Sequence, residues 1–152
     1  MSNVQIDDID MKIISMLHEN GRISYTDLAK EVGLSRVAIQ SRVNALMDNN
    51  IIERFTVVIN AENIGMAVSA FLNVEVEPQY LQQIAEKLAN DPYMTAVYHM
   101  TGPSKLHMHA VFANNQEMEK FLREKLYVLP GIMSVDCQLL ITRYKNQMGI
   151  NI

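Results

Sequence analysis

The chain has 152 residues, 49% of them hydrophobic, with one cysteine and a formal net charge of −4 at neutral pH. That length suits one ordinary domain or two small ones with real cores, and no run approaches the roughly 18 apolar residues of a membrane span. A lone cysteine excludes an internal disulfide framework and a CxxC metal or redox motif, and an acidic balance excludes a nonspecific DNA coater, which needs a basic excess.

The start, MSNVQIDDID, is polar and acidic, unlike the basic and then apolar start of a signal peptide, so a cytoplasmic protein is expected. Six basic and eight acidic residues precede Asn60, and seven and nine follow it, so neither half is basic. Any DNA contact must therefore come from a local face, repeated by oligomerisation.

Asp7 or Asp8 can cap a first helix running to about Asn20, with Ile9, Ile13 and Leu17 on its buried side, helped by Ile14 or Met16. Asn20-Gly21-Arg22 ends it. Residues 24–47 read as two short helices broken by Val32-Gly33-Leu34-Ser35. Ser24 and Asp27 resemble a capping box, Leu28, Ala29 and Val32 form an apolar stripe, and Gly33 stops the helix cheaply. Ser35 caps the next helix, in which Ile39, Val43, Leu46 and Met47 are expected to face a core. A glycine-bearing turn between two amphipathic helices is the pattern of a helix-turn-helix, though an ordinary αα-hairpin shares it. The three helices together make a unit of about 45 residues.

At 100° per residue, Val37, Gln40, Ser41 and Asn44 fall opposite Ile39, Val43 and Leu46, flanked by Arg36 and Arg42. Gln and Asn can bond adenine bidentately, and Val37 can meet a thymine methyl in the major groove. Arg36, Arg42 and the hydroxyls of Ser24 and Ser35 are suited to phosphates. The bland reading of Gln40 and Asn44 is a solvated helix face.

Residues 51–59, IIERFTVVI, are β-branched and aromatic and read as a strand or a short wing, and residues 60–65 as a linker or turn. Val68, Ala70, Leu72, Val74 and Val76 alternate along the next strand, which Pro78 closes. Leu81, Ile84, Ala85 and Leu88 mark a helix. Residues 95–101 and 106–113 form a hairpin, Asn114 or Asn115 caps a helix with Met118, Phe121, Leu122 and Leu126 inward, and residues 132–144 are a last strand. The order after residue 66 is βαββαβ, the ferredoxin-like split βαβ pattern, with both helices on one face of an antiparallel sheet. The fold class is α+β, with an N-terminal three-helix (winged) helix-turn-helix domain and a C-terminal ferredoxin-like domain. The expected boundaries are 1–60 and 66–145, with a tail at 146–152. If Leu72, Ala110 and Leu139 face the helices, Phe71, Val111 and Leu140 make the other face apolar. That reads as a dimerisation surface, or as a surface covered by the chain's own N-terminal region.

The chain resembles the Lrp/AsnC, or feast/famine, family of transcription regulators. The residues that carry the resemblance are IDDIDMKII at 6–14, Asn20-Gly21-Arg22, LAKEVGLS at 28–35, Arg42-Val43, Ile51-Ile52, Gly102 and Leu129-Pro130-Gly131, within a match spanning roughly residues 4–145. The resemblance implies a DNA-binding helix-turn-helix on double-stranded DNA. It also implies a ferredoxin-like effector and assembly domain, homodimers built through the sheets and often gathered into octamers, and small ligands, usually amino acids, held between subunits. It places effector contacts at Met100, Gly102, Ser104 and Lys105. Two departures stand out. Family members often carry basic residues where this chain has Asn44 and Ala45, so DNA binding is expected to need several helix-turn-helix units at once. The family's Gly-Asp-x-Asp loop is here Gly102-Pro103-Ser104-Lys105, so both acidic positions are lost, and an altered preference, toward a carboxylate, or no ligand at all is expected.

His99, His107 and His109 cluster in the hairpin. His107 and His109 share a face, His99 points away, and no Cys or acidic ligand lies close in sequence, so stacked interface histidines are expected rather than a metal site. Cys137 sits among apolar residues as an inert thiol. No Gly-rich phosphate loop, GxSxG or paired-carboxylate constellation is present, so neither catalysis nor a cofactor is expected. Two readings remain: a sequence-specific DNA-binding regulator modulated by a small ligand at subunit interfaces, and a ligand-binding assembly module with a vestigial helix-turn-helix.

Overall fold

The computed structural model describes residues 6–102 and 106–145. The chain divides into two compact units, one ending at Val58 and the other beginning at Ile59. No described helix is long and apolar enough to cross a membrane.

The first unit holds α1 (Asp8–Glu19), α2 (Tyr25–Val32) and α3 (Arg36–Asp48). Asp7 opens α1 with a reciprocal capping box: its side chain accepts from the Asp10 N–H at 2.7 Å, and the Asp10 carboxylate accepts from the Asp7 N–H at 3.2 Å. The core of this unit is Ile13, Leu17, Leu28, Ala29, Ile39, Val43 and Leu46. Three short stripes meet there because no single helix of 8 to 13 residues buries enough apolar surface alone. Met47, expected inside, is 38% exposed. It lies on the flank of the stripe, where the neighbouring helices no longer cover it.

Residues 53–60 form no strand, which corrects the expected strand or wing over 51–59. Phe55, Val57, Val58 and Ile59 stand exposed there. β-propensity is local, whereas a ladder needs a partner, and no described strand lies beside this segment.

The second unit is β1 (Val68–Val76), α4 (Leu81–Ala89), β2 (Met94–His99), β3 (Leu106–Phe112), α5 (Asn115–Phe121) continuing through a π-helical turn at Leu122–Leu126, and β4 (Ile132–Leu139). The sheet is antiparallel in the order β2-β3-β1-β4, the ferredoxin-like arrangement. Alternate residues of β1 and β3 are fully buried, from Ala70 to Val76 and from Leu106 to Phe112, under Ile84, Leu88, Phe121 and Leu126. Gly131 is required where β4 begins. Its φ is +76°, and a Cβ there would clash with the Tyr80 ring, lying 2.9 Å from Cγ.

β4 is shorter than the expected 132–144. Leu140 N–H still donates to Ser69 O at 2.9 Å, and that register sets Ile141 opposite Val68, where β1 starts, so residues beyond Ile141 have nothing opposite them. The outer face is also less apolar than expected. The register sets Gln138 and His109 beside Phe71, and Asp136 and His107 beside Asn73, so polar groups sit among Phe71 and Val111.

Candidate nucleic-acid interface

The turn between α2 and α3 is closed by backbone geometry. Gly33 is left-handed at φ +76°, and its N–H and that of Leu34 both donate to Ala29 O, at 2.9 and 3.0 Å. Ser35 then caps α3 by accepting from the Ala38 N–H at 3.1 Å. At the start of α2, Ser24 accepts from the Asp27 N–H at 3.1 Å, and its hydroxyl donates to Asp27 Oδ2 at 2.6 Å. Both serine hydroxyls thus hold helix ends, which fixes the angle at which α3 leaves the turn.

Ile39 and Val43 are wholly buried, with Leu46 one turn on. That burial fixes the rotation of α3 about its own axis. Val37 is 73% exposed on the opposite side, and Gln40, Ser41 and Asn44 are exposed with it. Among the described residues, none takes up the side chains of Gln40, Ser41, Asn44 or Arg36 in a hydrogen bond or ion pair. These donors and acceptors face solvent, where a base edge can replace water.

Arg42 is placed differently. Its Nη1 donates to Asp10 Oδ1 at 2.7 Å and to Asp7 Oδ2 at 2.8 Å, and its side chain is partly buried. Those two carboxylates hold the guanidinium pKa above its ordinary value, Asp10 foremost. Asp7 is pulled below the usual carboxylate value, first by the Asp10 N–H and then by Arg42. Arg42, expected at a phosphate, is held in an ion pair that ties α3 to the start of α1. Sequence reasoning missed this pair because its members lie 35 and 32 positions apart. Lys12 is committed likewise, donating from Nζ to Glu31 O at 2.7 Å in the last turn of α2, and Lys30 lies 3.3 Å from Asp27. Arg22, Arg36 and Arg54 carry no ion pair among the described residues.

Of the effector positions, Met100 is 47% exposed and Gly102 has φ +95°, while Ser104 and Lys105 lie outside the described residues. A recess of about 360 Å³ opens on the outer side of the sheet, lined by Phe71, Thr95, His109, Leu140, Arg143 and Lys145 among others. Two cations, Arg143 and Lys145, in its lining suit an anionic ligand group. His107 and His109 touch on the same face, whereas His99 pairs with Leu106 on the helix side, as expected. Cys137 packs half-buried against the core, and burial raises its pKa above the ordinary thiol value.

Asp7 gives a pH dependence with a definite sign. Its folded pKa is lowered, so its stabilisation is fully present above the ordinary value of 3.8 and is lost as pH falls through the folded value. Thermal melts of the wild type should show falling stability across that window. Asp7→Asn should melt lower at neutral pH and change less on acidification. An Asp7→Asn variant with the wild-type pH profile would contradict this.

Residues 6–47 match the AsnC-type helix-turn-helix domain, and residues 69–150 match the Lrp/AsnC ligand binding domain. A helix-turn-helix-type transcriptional regulator of Pyrococcus horikoshii is 31% identical over 137 residues, covering 90% of this chain and 87% of that protein. A Neisseria meningitidis transcriptional regulator solved with L-Met superposes with a TM-score of 0.90 at 21% identity, over 97% of each chain. AsnC of E. coli superposes with a TM-score of 0.84 at 22% identity, over 97% of this chain and 98% of that one.

Proposed function

The chain belongs to the Lrp/AsnC family of transcription regulators, and from that premise we propose that it reads double-stranded DNA through the outer face of α3. It is a DNA-binding regulator with a ligand-binding domain. The observation that supports this reading face is the pinned rotation of α3, which leaves Val37, Gln40, Ser41 and Asn44 exposed and without hydrogen-bond partners among the described residues. Gln40 and Asn44 supply paired donor and acceptor groups for an adenine edge, and Val37 an apolar contact for a thymine methyl. Arg36, one residue into the helix, neutralises a flanking phosphate, and Ser24 and Ser35 act by aiming α3 as caps.

The affinity of one unit is limited by charge. Three uncommitted arginines give a log–log salt slope of at most about −2.7 for a single unit, where strong single-site binders reach far steeper values. Homodimerisation, with further gathering into octamers, raises the effective concentration of the second unit on the same DNA. Specific binding therefore belongs to the assembled form.

For the effector, the recess with Arg143 and Lys145 on its wall favours a small carboxylate-bearing molecule, an amino acid or keto acid. The absence of acidic residues from the Gly102-Pro103-Ser104-Lys105 stretch removes the groups that would hold an ammonium. Calorimetry of the intact protein against amino acids and keto acids should find saturable binding that Arg143→Ala weakens about tenfold or more. Binding of the same compounds unchanged by Arg143→Ala would overturn this assignment.

The DNA reading is tested by fluorescence anisotropy on a sequence selected with the intact protein, at several salt concentrations. Gln40→Ala should lose about 5- to 150-fold in discrimination against a mismatched site, corresponding to roughly 1–3 kcal/mol. Arg36→Ala should weaken all sequences alike and make the salt slope shallower by about 0.9 per unit. Discrimination unchanged in Gln40→Ala would remove α3 as the reader, and so would the absence of any specific complex at low salt.

A further inference from the structure

On the outer face of the sheet, His107 and His109 leave the same side of β3 because they are two residues apart. Their Nε2 atoms lie 3.0 Å from each other, and the rings are nearly perpendicular, at 84°. His107 Nδ1 is 2.7 Å from Asn73 Oδ1, on the β1 residue directly opposite. The other end of that amide, Nδ2, faces Asp136 Oδ2 at 3.5 Å, which orients the oxygen toward the histidine. An amide oxygen only accepts, so the His107 proton sits on Nδ1 and its Nε2 presents a lone pair. The Nε2 proton of His109 fills the gap between the two rings.

We propose that His107 and His109 form a two-nitrogen chelate for a divalent transition-metal ion of the zinc, nickel or copper type, with Asn73 as the residue that positions His107. Nitrogens bound side by side at about 2.1 Å from a metal lie about 2.9–3.4 Å apart, which is the spacing these two atoms already have. The ion takes the place of the His109 Nε2 proton, and that proton moves to Nδ1 of the same ring, so the neutral pair binds without a change in proton count. A ligand histidine whose far nitrogen donates to a carbonyl oxygen is the usual support for such a site, and Asn73 supplies it. Phe71 packs edge-on to His109 at 4.4 Å between centroids, and Tyr98 lies 6.0 Å from the same ring, so the imidazoles are held before an ion arrives. Imidazoles without a carboxylate select later transition ions over magnesium or calcium. Among the described residues no third His, Cys, Asp or Glu joins the pair. Water, or the same two histidines of a second copy, fills the remaining positions.

The test is titration of the intact, metal-stripped protein with Ni²⁺ alone by calorimetry at neutral pH. One ion per chain is expected if water completes the site, and one per two chains if a second copy does. His107→Gln and His109→Gln should each lose tenfold or more in affinity, Asn73→Leu about 10- to 100-fold, and His18→Gln and His99→Gln nothing. Electron paramagnetic resonance of the Cu²⁺-loaded wild type, which needs no variant to fold, should show coupling to two or four nitrogens. The proposal is overturned by the absence of saturable Ni²⁺ binding, by binding that survives the double His107→Gln/His109→Gln change, or by a copper spectrum with oxygen ligands only.

Discussion

Helix α3 has a single stripe to bury, and the depth at which Ile39, Val43 and Leu46 sit decides what the rest of the helix can do. Each of these side chains contributes roughly 1.5–3 kcal/mol on burial, so rotating the helix by one residue would expose several kcal/mol of apolar surface. The face with Gln40, Ser41 and Asn44 is consequently presented by the core and not by any contact of its own. The caps at Ser24 and Ser35 and the left-handed Gly33 set the second coordinate, the angle between α2 and α3. The proposed recognition by this unit is thus a consequence of packing: a rigid scaffold holds out polar groups that have no partner among the described residues.

The same packing accounts for the weak charge of the surface. Arg42 is drawn to Asp7 and Asp10, Lys12 to the carbonyl end of α2, and Lys30 to Asp27. Half of the six basic residues before Asn60 are thereby committed within the unit. A chain that spends cations this way gains a firmly seated helix and loses phosphate affinity, which the proposed assembly would restore by repetition. The second unit, with its four-stranded sheet and its polar outer face, belongs to the ligand-binding half of the family's architecture.

Much of this was legible in the sequence, for identifiable reasons. The helix caps, the Gly33 turn and the βαββαβ order follow from short-range chemistry: an oxygen three residues before an N–H, a residue free to adopt positive φ, alternation with period two. The exposed face of α3 followed because helical periodicity is rigid. What was not legible depends on partners distant in sequence. Residues 51–59 are rich in β-branched and aromatic residues but have no strand beside them among the described residues. β4 stops at Leu139, opposite Ala70 and two residues short of the end of β1. Arg42 reads as a surface cation until α1 folds back beside it. The outer sheet face was misjudged because the polar residues of β4 could be assigned to a side only once the register was known.

The proposed sequence recognition rests on the face of α3 set by its buried stripe. The most direct measurement is an unbiased selection of bound genomic fragments by the intact protein and by a Gln40→Ala/Asn44→Ala variant, compared under identical salt. The wild type should recover fragments sharing a recurring motif. The variant, folded and assembled as the wild type, should recover fragments without it. Recovery of the same motif by both proteins would contradict the account.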